Sequence, residues 1–409
     1  MNKKIKVLHI NTLDSYGGAA QVANDLIAAT HTENSFVVRY NTTGRESVVA
    51  FSMNNSADLV FLFLDKIRSM FGIMSSIRVK LGFGDVYNGT YRKLRRMKAY
   101  READIVHLHN IHGGYFDLNA LPKIAREKKI VWTLHDMWFM TGGEAYTFDN
   151  DNFKLGVAET PYISHYPLSD PYVDKRAQSM SEKKKTYQLI AKSLTVVPVS
   201  FWLERSLRQS FVYENNIQVK TIYNGVDLGI FNNRNNRSWT KPRILFFNHD
   251  SPFKGSQLFI DAMGSLSKDF DLILIGNAIE GIQPMQYFGF VKSREQLAEI
   301  YNQADILVFP SLAESLGLTV LEAMACGICV VASDTGGIPE VLSGETGYLF
   351  ETGNQDQLEG KLKIALAGIE QCRNKGRAAE KIVQAKFDLK KCAAEYEKLY
   401  ESVTSRKDR

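Results

Sequence analysis

Cysteine is scarce: the chain has four in 409 residues, and none before Cys326. A disulfide framework over residues 1–325 is therefore excluded, and nothing demands an oxidising compartment. Cys326 and Cys329 have C-x-x-C spacing, but no second Cys or His pair lies nearby to complete a metal or redox site. They sit in AMACGICVVAS, where the first ends a helix and the second enters an apolar strand, so buried structural thiols are expected. Long apolar runs are also missing. The richest stretch, Leu59 to Phe71, is interrupted by Asp65, Lys66, Arg68 and Ser69, so no membrane-spanning helix is expected. MNKKIKVLHIN enters a strand directly, and its apolar run is too short for a signal peptide. These absences point to the cytoplasm, with contact to the inner membrane face as the furthest excursion. The net charge of +5 is mild and is no mark of nucleic-acid binding. There is no G-x-G-x-x-G for a nicotinamide cofactor, and no D-x-D-type metal cluster accompanies the glutamate-bearing motif at 310–327, so neither cofactor nor metal is expected.

What is present is strand–helix alternation. IKVLHIN (5–11), SFVVRY (35–40), DIVHLHN (104–110), KIVWTLH (129–135), LTVVPVS (194–200) and VKTIYNG (219–225) read as strands separated mostly by helices. After a polar, Asn- and Arg-rich stretch the pattern restarts with RILFFNH (243–249), DLILIGN (271–277), ILVFPS (306–311) and ICVVAS (328–333). Such alternation gives mostly parallel sheets covered on both faces. The expected organisation is an N-terminal Rossmann-like domain over 1–227, a linker at 228–242, a second Rossmann-like domain at 243–385, and a C-terminal helix (386–409) returning to the first domain. Two such α/β domains would face each other across a cleft with ligands at the C-terminal edges of their strands. Residues 141–185 read as a long aromatic loop. Basic residues cluster at Lys66, Arg68, Arg78 and Lys80 and again at Arg92, Lys93, Arg95, Arg96, Lys98 and Arg101. A solvated helix face explains them; attraction to an anionic membrane surface is the functional alternative.

The motif richest in chemistry is PSLAESLGLTVLEAMACG (310–327), in which Glu314 and Glu322 stand in E-x7-E spacing. A strand ends at Pro310 and Ser311, and a helix is predicted to start near Leu316. Unpaired N–H groups at Ser315, Leu316 and Gly317, with the helix dipole, suit anionic oxygens. Glu322, about two turns on, can accept hydrogen bonds from vicinal hydroxyls such as those of ribose. Either glutamate alone is as readily a cap or a surface charge; the whole string is more specific. Gly17 and Gly18 follow the first strand and permit a tight turn, while His135 closes the strand KIVWTLH at a ligand-facing edge.

These residues, with GGAA (17–20), HNIHG (109–113), WTLHDMW (132–138), VSFWLERS (199–206), NGVD (224–227), FKG (253–255) and GGIPE (336–340), make the chain similar to the retaining glycosyltransferases of family 4 with the GT-B fold. HNIHG, HDMW followed by TGG, and FWL resemble the branch that builds bacterial exopolysaccharide, capsule and colanic acid. The resemblance implies transfer of a sugar from a nucleotide-sugar donor, UDP or GDP, to a saccharide acceptor, plausibly polyprenyl-diphosphate-linked. It implies that Glu314 contacts donor-sugar hydroxyls, Glu322 holds the ribose and Lys254 pairs with the diphosphate. It also implies that His135 bonds a donor-sugar hydroxyl and that the loop of Gly17 and Gly18 lies under the donor phosphate. The backbone at Phe290 and Val291 would hold the nucleobase, and His109, His112 and Asp136 would face the acceptor. Retention without metal follows from the same resemblance.

Two departures stand out. The family usually has an arginine shortly before the lysine, whereas FFNHDSPFKG offers only Asn248 and His249, so His249 becomes a candidate for the diphosphate clamp. Relatives often carry cysteines after TGG; here Glu144 follows instead. The competing readings are an epimerase or phosphorylase on the same fold, a non-catalytic sugar-nucleotide-binding scaffold of an assembly complex, and a lipid-binding role centred on residues 57–101.

Overall fold

Both stretches of alternating apolar runs and helices close into all-parallel sheets. The computed structural model describes residues 4–406 except Tyr16, residues 52–88, Gly114, Asp149, residues 158–173, Asn235, Asn236, Ser238, Ser265 and residues 267–269. Lys66, Arg68, Arg78 and Lys80, and the middle of the 141–185 loop, thus lie outside the described residues. The first sheet has seven strands: β1 (Lys6–Leu13), β2 (Glu33–Tyr40), β3 (Val48–Ala50), β4 (Ile105–Leu108), β5 (Lys129–Leu134), β6 (Leu194–Pro198) and β7 (Gln218–Val219). Their order is β3-β2-β1-β4-β5-β6-β7, every pair parallel. The second has six: β8 (Arg243–Asn248), β9 (Asp271–Gly276), β10 (Gln286–Tyr287), β11 (Ile306–Phe309), β12 (Cys329–Asp334) and β13 (Gly347–Glu351), ordered β10-β9-β8-β11-β12-β13 and again all parallel. In each sheet the order reverses once, between β1 and β4 and between β8 and β11. Ligands of open parallel sheets bind at the C-terminal ends of the strands flanking such a reversal.

The strands form where they do because their apolar runs are buried on both faces, as parallel sheets require. All of β4 and all of β6 are buried. In the second sheet Ile244, Phe246, Leu272, Leu274, Ile306, Val308, Cys329 and Val331 share one core. They alternate along their strands and so point to one face. Phe259, Leu358, Leu362 and Cys372 from the covering helices complete it. In the first sheet, Ala23 of helix Gly18–Ala29 packs on Phe36, Val38 and Val48. All four cysteines are buried and free, and burial pushes the Cys326 thiol up to about 12, which keeps it inert at neutral pH.

Contacts divide the chain into two units. The first comprises Met1–Val199, Leu203–Ile222 and Ala393–Arg409; the second comprises Ser200–Trp202 and Tyr223–Cys392. The last helix, Leu389–Ser405, lends Tyr396 and Tyr400 to the first unit's core, where the Thr133 and Tyr396 hydroxyls are 2.8 Å apart and Tyr400 Oη is 2.8 Å from His107 Nδ1. Two local expectations change. VKTIYNG is a strand only at Gln218–Val219, although Lys220 and Ile222 still donate to the carbonyls of Val196 and Pro198. The helix expected from near Leu316 is Leu318–Ala325, because Gly317, at φ 89°, turns the chain into it as N-cap.

Candidate functional site

In the second unit the site is built from three loops at the C-terminal edge. Leu312, after β11, donates its N–H to the Phe253 carbonyl at 2.6 Å. Gly255 has φ +65°, and a Cβ there would stand 1.9 Å from the Pro310 carbonyl oxygen, so only glycine allows this contact. The docking sets Lys254 Nζ 2.8 Å from Glu314 Oε2. From the other side, Gly336 (φ +57°) lies so close that a Cβ would meet the Glu314 carbonyl oxygen at 1.6 Å, and Gly337 donates to that oxygen at 3.3 Å. Glu314 is thus held between the FKG and TGGIPE loops. Beside it begins helix Leu318–Ala325, whose first N–H groups have no intrahelical carbonyl to bond. Ser315, Leu316 and Gly317 are buried, so they offer a ligand backbone, not side chains. Glu322 is oriented by the Tyr301 hydroxyl, which donates to it at 3.2 Å. The arrangement can pair a cation and N–H donors with a diphosphate and present two carboxylates to hydroxyls.

His249 lies just beyond β8, with its ring centroid 6.5 Å from that of Phe290. Its pKa is lowered, first by desolvation and then by the Lys254 cation, so it is neutral at pH 7 and does not replace the charge of an arginine. Phe290 is 68% exposed, and Val291 is half-buried. The loop carrying them is tied down by the Gly276 N–H, which donates to Gly289 at 2.7 Å. Glu340 of GGIPE accepts from the N–H groups of Phe201 and Trp202, at 2.9 and 2.5 Å, and from the Tyr223 hydroxyl at 2.8 Å. Its carboxylate is structural.

In the first unit Gly17 (φ +85°) is the exposed N-cap of helix Gly18–Ala29, next to the end of β1. His135 follows β5 and is partly exposed. His109 corrects an expectation. It is 1% exposed, with Nε2 3.2 Å from His9 Nδ1 and Nδ1 3.1 Å from His135 Nε2, so no ring nitrogen is left for an acceptor. His112 and Asp136 are also nearly buried: Asp136 accepts from the Trp138 N–H at 2.8 Å, and its other oxygen is 3.5 Å from His112 Nε2. The TGG loop needs no thiols. Glu144 forms a buried 2.8 Å ion pair with Arg176, and buried Lys183 donates to the carbonyls of Trp138 and Thr141 while its Nζ lies 3.6 Å from the Trp138 ring centroid.

Burial pushes His9 and His135 down to about 4, and His107 and His109 well below their ordinary value. His9, His107 and His109 could each offer a nitrogen to a metal ion, these atoms lying within 4.8 Å of one another. Those nitrogens are already engaged in the histidine contacts or, at His107, with Tyr400 and Thr133 at 2.8 Å. The His107 and His109 rings stack at 4.3 Å, so their in-plane lone pairs do not converge. His9 and His107 were hidden in the sequence as members of apolar strands; only their alternation, His107 and His109, hinted at one face.

Comparison with known proteins agrees with this geometry. Residues 77–229 match the family described as Glycosyltransferase Family 4, and residues 230–382 match Glycosyl transferases group 1. The chain belongs to the family 4, group 1 glycosyltransferases and has the GT-B fold class, with two parallel-sheet α/β domains. It is 24% identical over 371 residues to the putative colanic acid biosynthesis glycosyl transferase WcaC of Escherichia coli, covering 84% of this chain and 86% of that one. N-acetyl-alpha-D-glucosaminyl L-malate synthase of Bacillus anthracis is 30% identical over 210 residues, 46% of this chain and 55% of that enzyme. Among solved structures, Anabaena HepE in complex with UDP and glucose matches with a TM-score of 0.65 at 16% identity, over 97% of this chain and all of that one. Sucrose-phosphate synthase of Thermosynechococcus elongatus matches with a TM-score of 0.64 at 17% identity, over 97% and 99%. The chain is a glycosyltransferase.

Proposed function

We propose that this enzyme transfers a sugar from a UDP- or GDP-sugar to a saccharide carried on polyprenyl diphosphate, with retention and without metal or cofactor, in bacterial surface polysaccharide assembly. The Lys254–Glu314 pair at 2.8 Å beside the head of helix Leu318–Ala325 carries the reading. A departing nucleoside diphosphate develops negative charge, and a preplaced cation with oriented N–H donors stabilises it without reorganisation. The C1–oxygen bond breaks with its electron pair leaving on the diphosphate. The acceptor hydroxyl attacks from the same face, and its proton passes to a departing phosphate oxygen. Glu314 binds donor-sugar hydroxyls, Glu322 the ribose and His135 one further sugar hydroxyl. Phe290 and Val291 flank the base, and Gly17 and Gly18 let the phosphate approach. His112 and Asp136 contribute through the shape of the acceptor side. Similarity to WcaC supports the polysaccharide role, and the UDP complex of HepE supports the donor class.

The test is nucleoside diphosphate release from UDP-, GDP-, ADP- and TDP-sugars in excess EDTA, with saccharide acceptors supplied and Glu314→Ala as control. Release from one donor, lost in the variant, with the product anomer matching the donor by NMR, is expected. Inversion, or activity only with added Mg²⁺, would refute retention or metal independence respectively. If nucleotide binds but no donor is turned over with any acceptor, the scaffold reading replaces catalysis.

We infer that the enzyme works at the cytoplasmic membrane face. Among the described residues no helix is long and apolar enough to cross a membrane, and Arg92, Arg95, Arg96, Lys98 and Arg101 are exposed on two short helices. Flotation with phosphatidylglycerol vesicles but not with phosphatidylcholine vesicles is expected; equal partition to both would remove the membrane from this proposal.

A further inference from the structure

A file of polar side chains runs through the first unit from helix Gly18–Ala29 to His135. The Ile27 carbonyl can only accept, so the Asn34 group 3.2 Å away must be its amide nitrogen, which also donates to Thr30 Oγ1 at 3.0 Å. That turns Asn34 Oδ1 toward His9 Nε2, at 3.2 Å, and the same oxygen accepts from Thr32 at 2.9 Å. An amide oxygen cannot donate, so the proton lies on His9 Nε2. A neutral imidazole carries one N–H, which leaves His9 Nδ1 a lone pair. His109 Nε2, 3.2 Å away, must then donate to it, and His109 Nδ1 is bare in turn. His135 Nε2, at 3.1 Å, must donate to that nitrogen, leaving His135 Nδ1 as an acceptor. Each step requires a neutral ring. Burial supplies that by holding His9, His109 and His135 below their ordinary range. The interplanar angles of consecutive rings are 18° and 20°.

We propose that Asn34, His9 and His109 are positioning residues, forming a directional hydrogen-bond relay that locks His135 as its Nε2–H tautomer and presents Nδ1 as an acceptor. Among the described residues no side chain or backbone group donates to that Nδ1, and His135 is partly exposed. The functional meaning rests on the reading of His135 as a contact to a donor-sugar hydroxyl: that hydroxyl must then donate its proton to the enzyme. The orientation of a recognition hydrogen bond is thereby set by an amide on β2, three strands away from β5. The relay asks nothing of the chemistry step; its consequence is selectivity for a group able to donate.

Two-bond proton–nitrogen correlation spectra of ¹⁵N-histidine-labelled full-length protein at pH 7 test this, with His135→Gln assigning the signal. The free protein should show His135 with a pyridine-like Nδ1 and a pyrrole-like Nε2. The reverse pattern, or an average of the two, overturns the relay. Asn34→Leu removes the terminal acceptor and should shift His135 to the averaged or reversed pattern, with a loss of roughly tenfold in kcat/KM. Asn34→Asp keeps an acceptor oxygen and should retain the parent pattern. An unmoved His135 in Asn34→Leu overturns the role of Asn34. His107, bonded to Thr133 and Tyr400 outside the relay, reports whether the variants are folded. UDP-glucose and GDP-mannose are then added to the parent protein. If neither moves the His135 Nδ1 signal, the donor-contact reading fails while the tautomer measurement still decides the relay.

Discussion

Lys254 and Glu314 neutralise one another at 2.8 Å, so a donor diphosphate competes with Glu314 for the lysine, and Glu314 is released toward the sugar. Lys254→Ala should therefore lower kcat by roughly 10²–10³, the effect of deleting a preplaced transition-state partner, and weaken diphosphate binding. His249→Ala should leave diphosphate affinity within a few fold, because its ring is neutral beside Lys254. Calorimetric titration with nucleoside diphosphate compares them, and equal losses would assign His249 to the clamp. The buried histidines make a separate prediction. His9 and His135 titrate near 4 when folded and near the ordinary histidine value of 6.5 when unfolded. Between these values only the unfolded chain binds the proton, so stability falls as the pH is lowered. The slope is about 1.4 kcal/mol per pH unit for each such histidine. Their contribution is fully present above about pH 6.5 and lost by about pH 4, below which carboxylates such as Asp14, held at about 2, take over. Urea midpoints measured from pH 7 to 4 should fall throughout, and a flat profile across that window would mean the histidines are charged or solvated in the native state.

The loops at the sheet edges are placed by backbone contacts, not by their functional side chains. Gly255→Ala keeps Lys254, yet its Cβ would occupy the space of the Pro310 carbonyl at a positive φ. A loss of about 1–3 kcal/mol is expected, together with much of the Lys254 effect, because the FKG loop can no longer dock beside Glu314. Denaturant melts and kcat on the same preparation check this; an active variant of parent stability would show that the loop relaxes freely. Below the edge, Phe246 on β8 and Phe259 on helix Ser256–Met263 have ring centroids 4.1 Å apart in the core. Phe246→Ala should cost about 3–5 kcal/mol in the unfolding of the second unit, without altering the identity of the donor.

At the scale of the chain, the two sheets were legible because buried parallel strands are written as largely apolar runs, as in LILI and ILVF. Short edge strands such as Val48–Ala50 and Gln286–Tyr287 were not, since so few residues carry no period. Glu314 could be read from the helix start beside it and Lys254 only from the family resemblance; which carbonyl each loop glycine touches could not be read. His109 was misplaced for a related reason. A histidine at a strand end looks alike whether it faces a ligand or two more histidines, and only register, His9 beside His107 in β1 and β4, separates the cases. The same limit hid which residues of the returning C-terminal helix complete the first unit. Its last segment, Ala393–Arg409, supplies Tyr396 and Tyr400, buried and within 2.8 Å of Thr133 and His107. Tyr400→Phe leaves a buried His107 nitrogen without its hydroxyl and should cost about 1–3 kcal/mol. Deleting residues 393–409 also uncovers the core that both tyrosines fill, so it should unfold the first unit preferentially. Hydrogen exchange read by mass spectrometry should then show protection lost in β4 and β5 while β8 and β11 remain protected. Uniform loss in both sheets would mean that the units unfold as one, and unchanged protection in β4 would mean that the helix merely decorates the first unit.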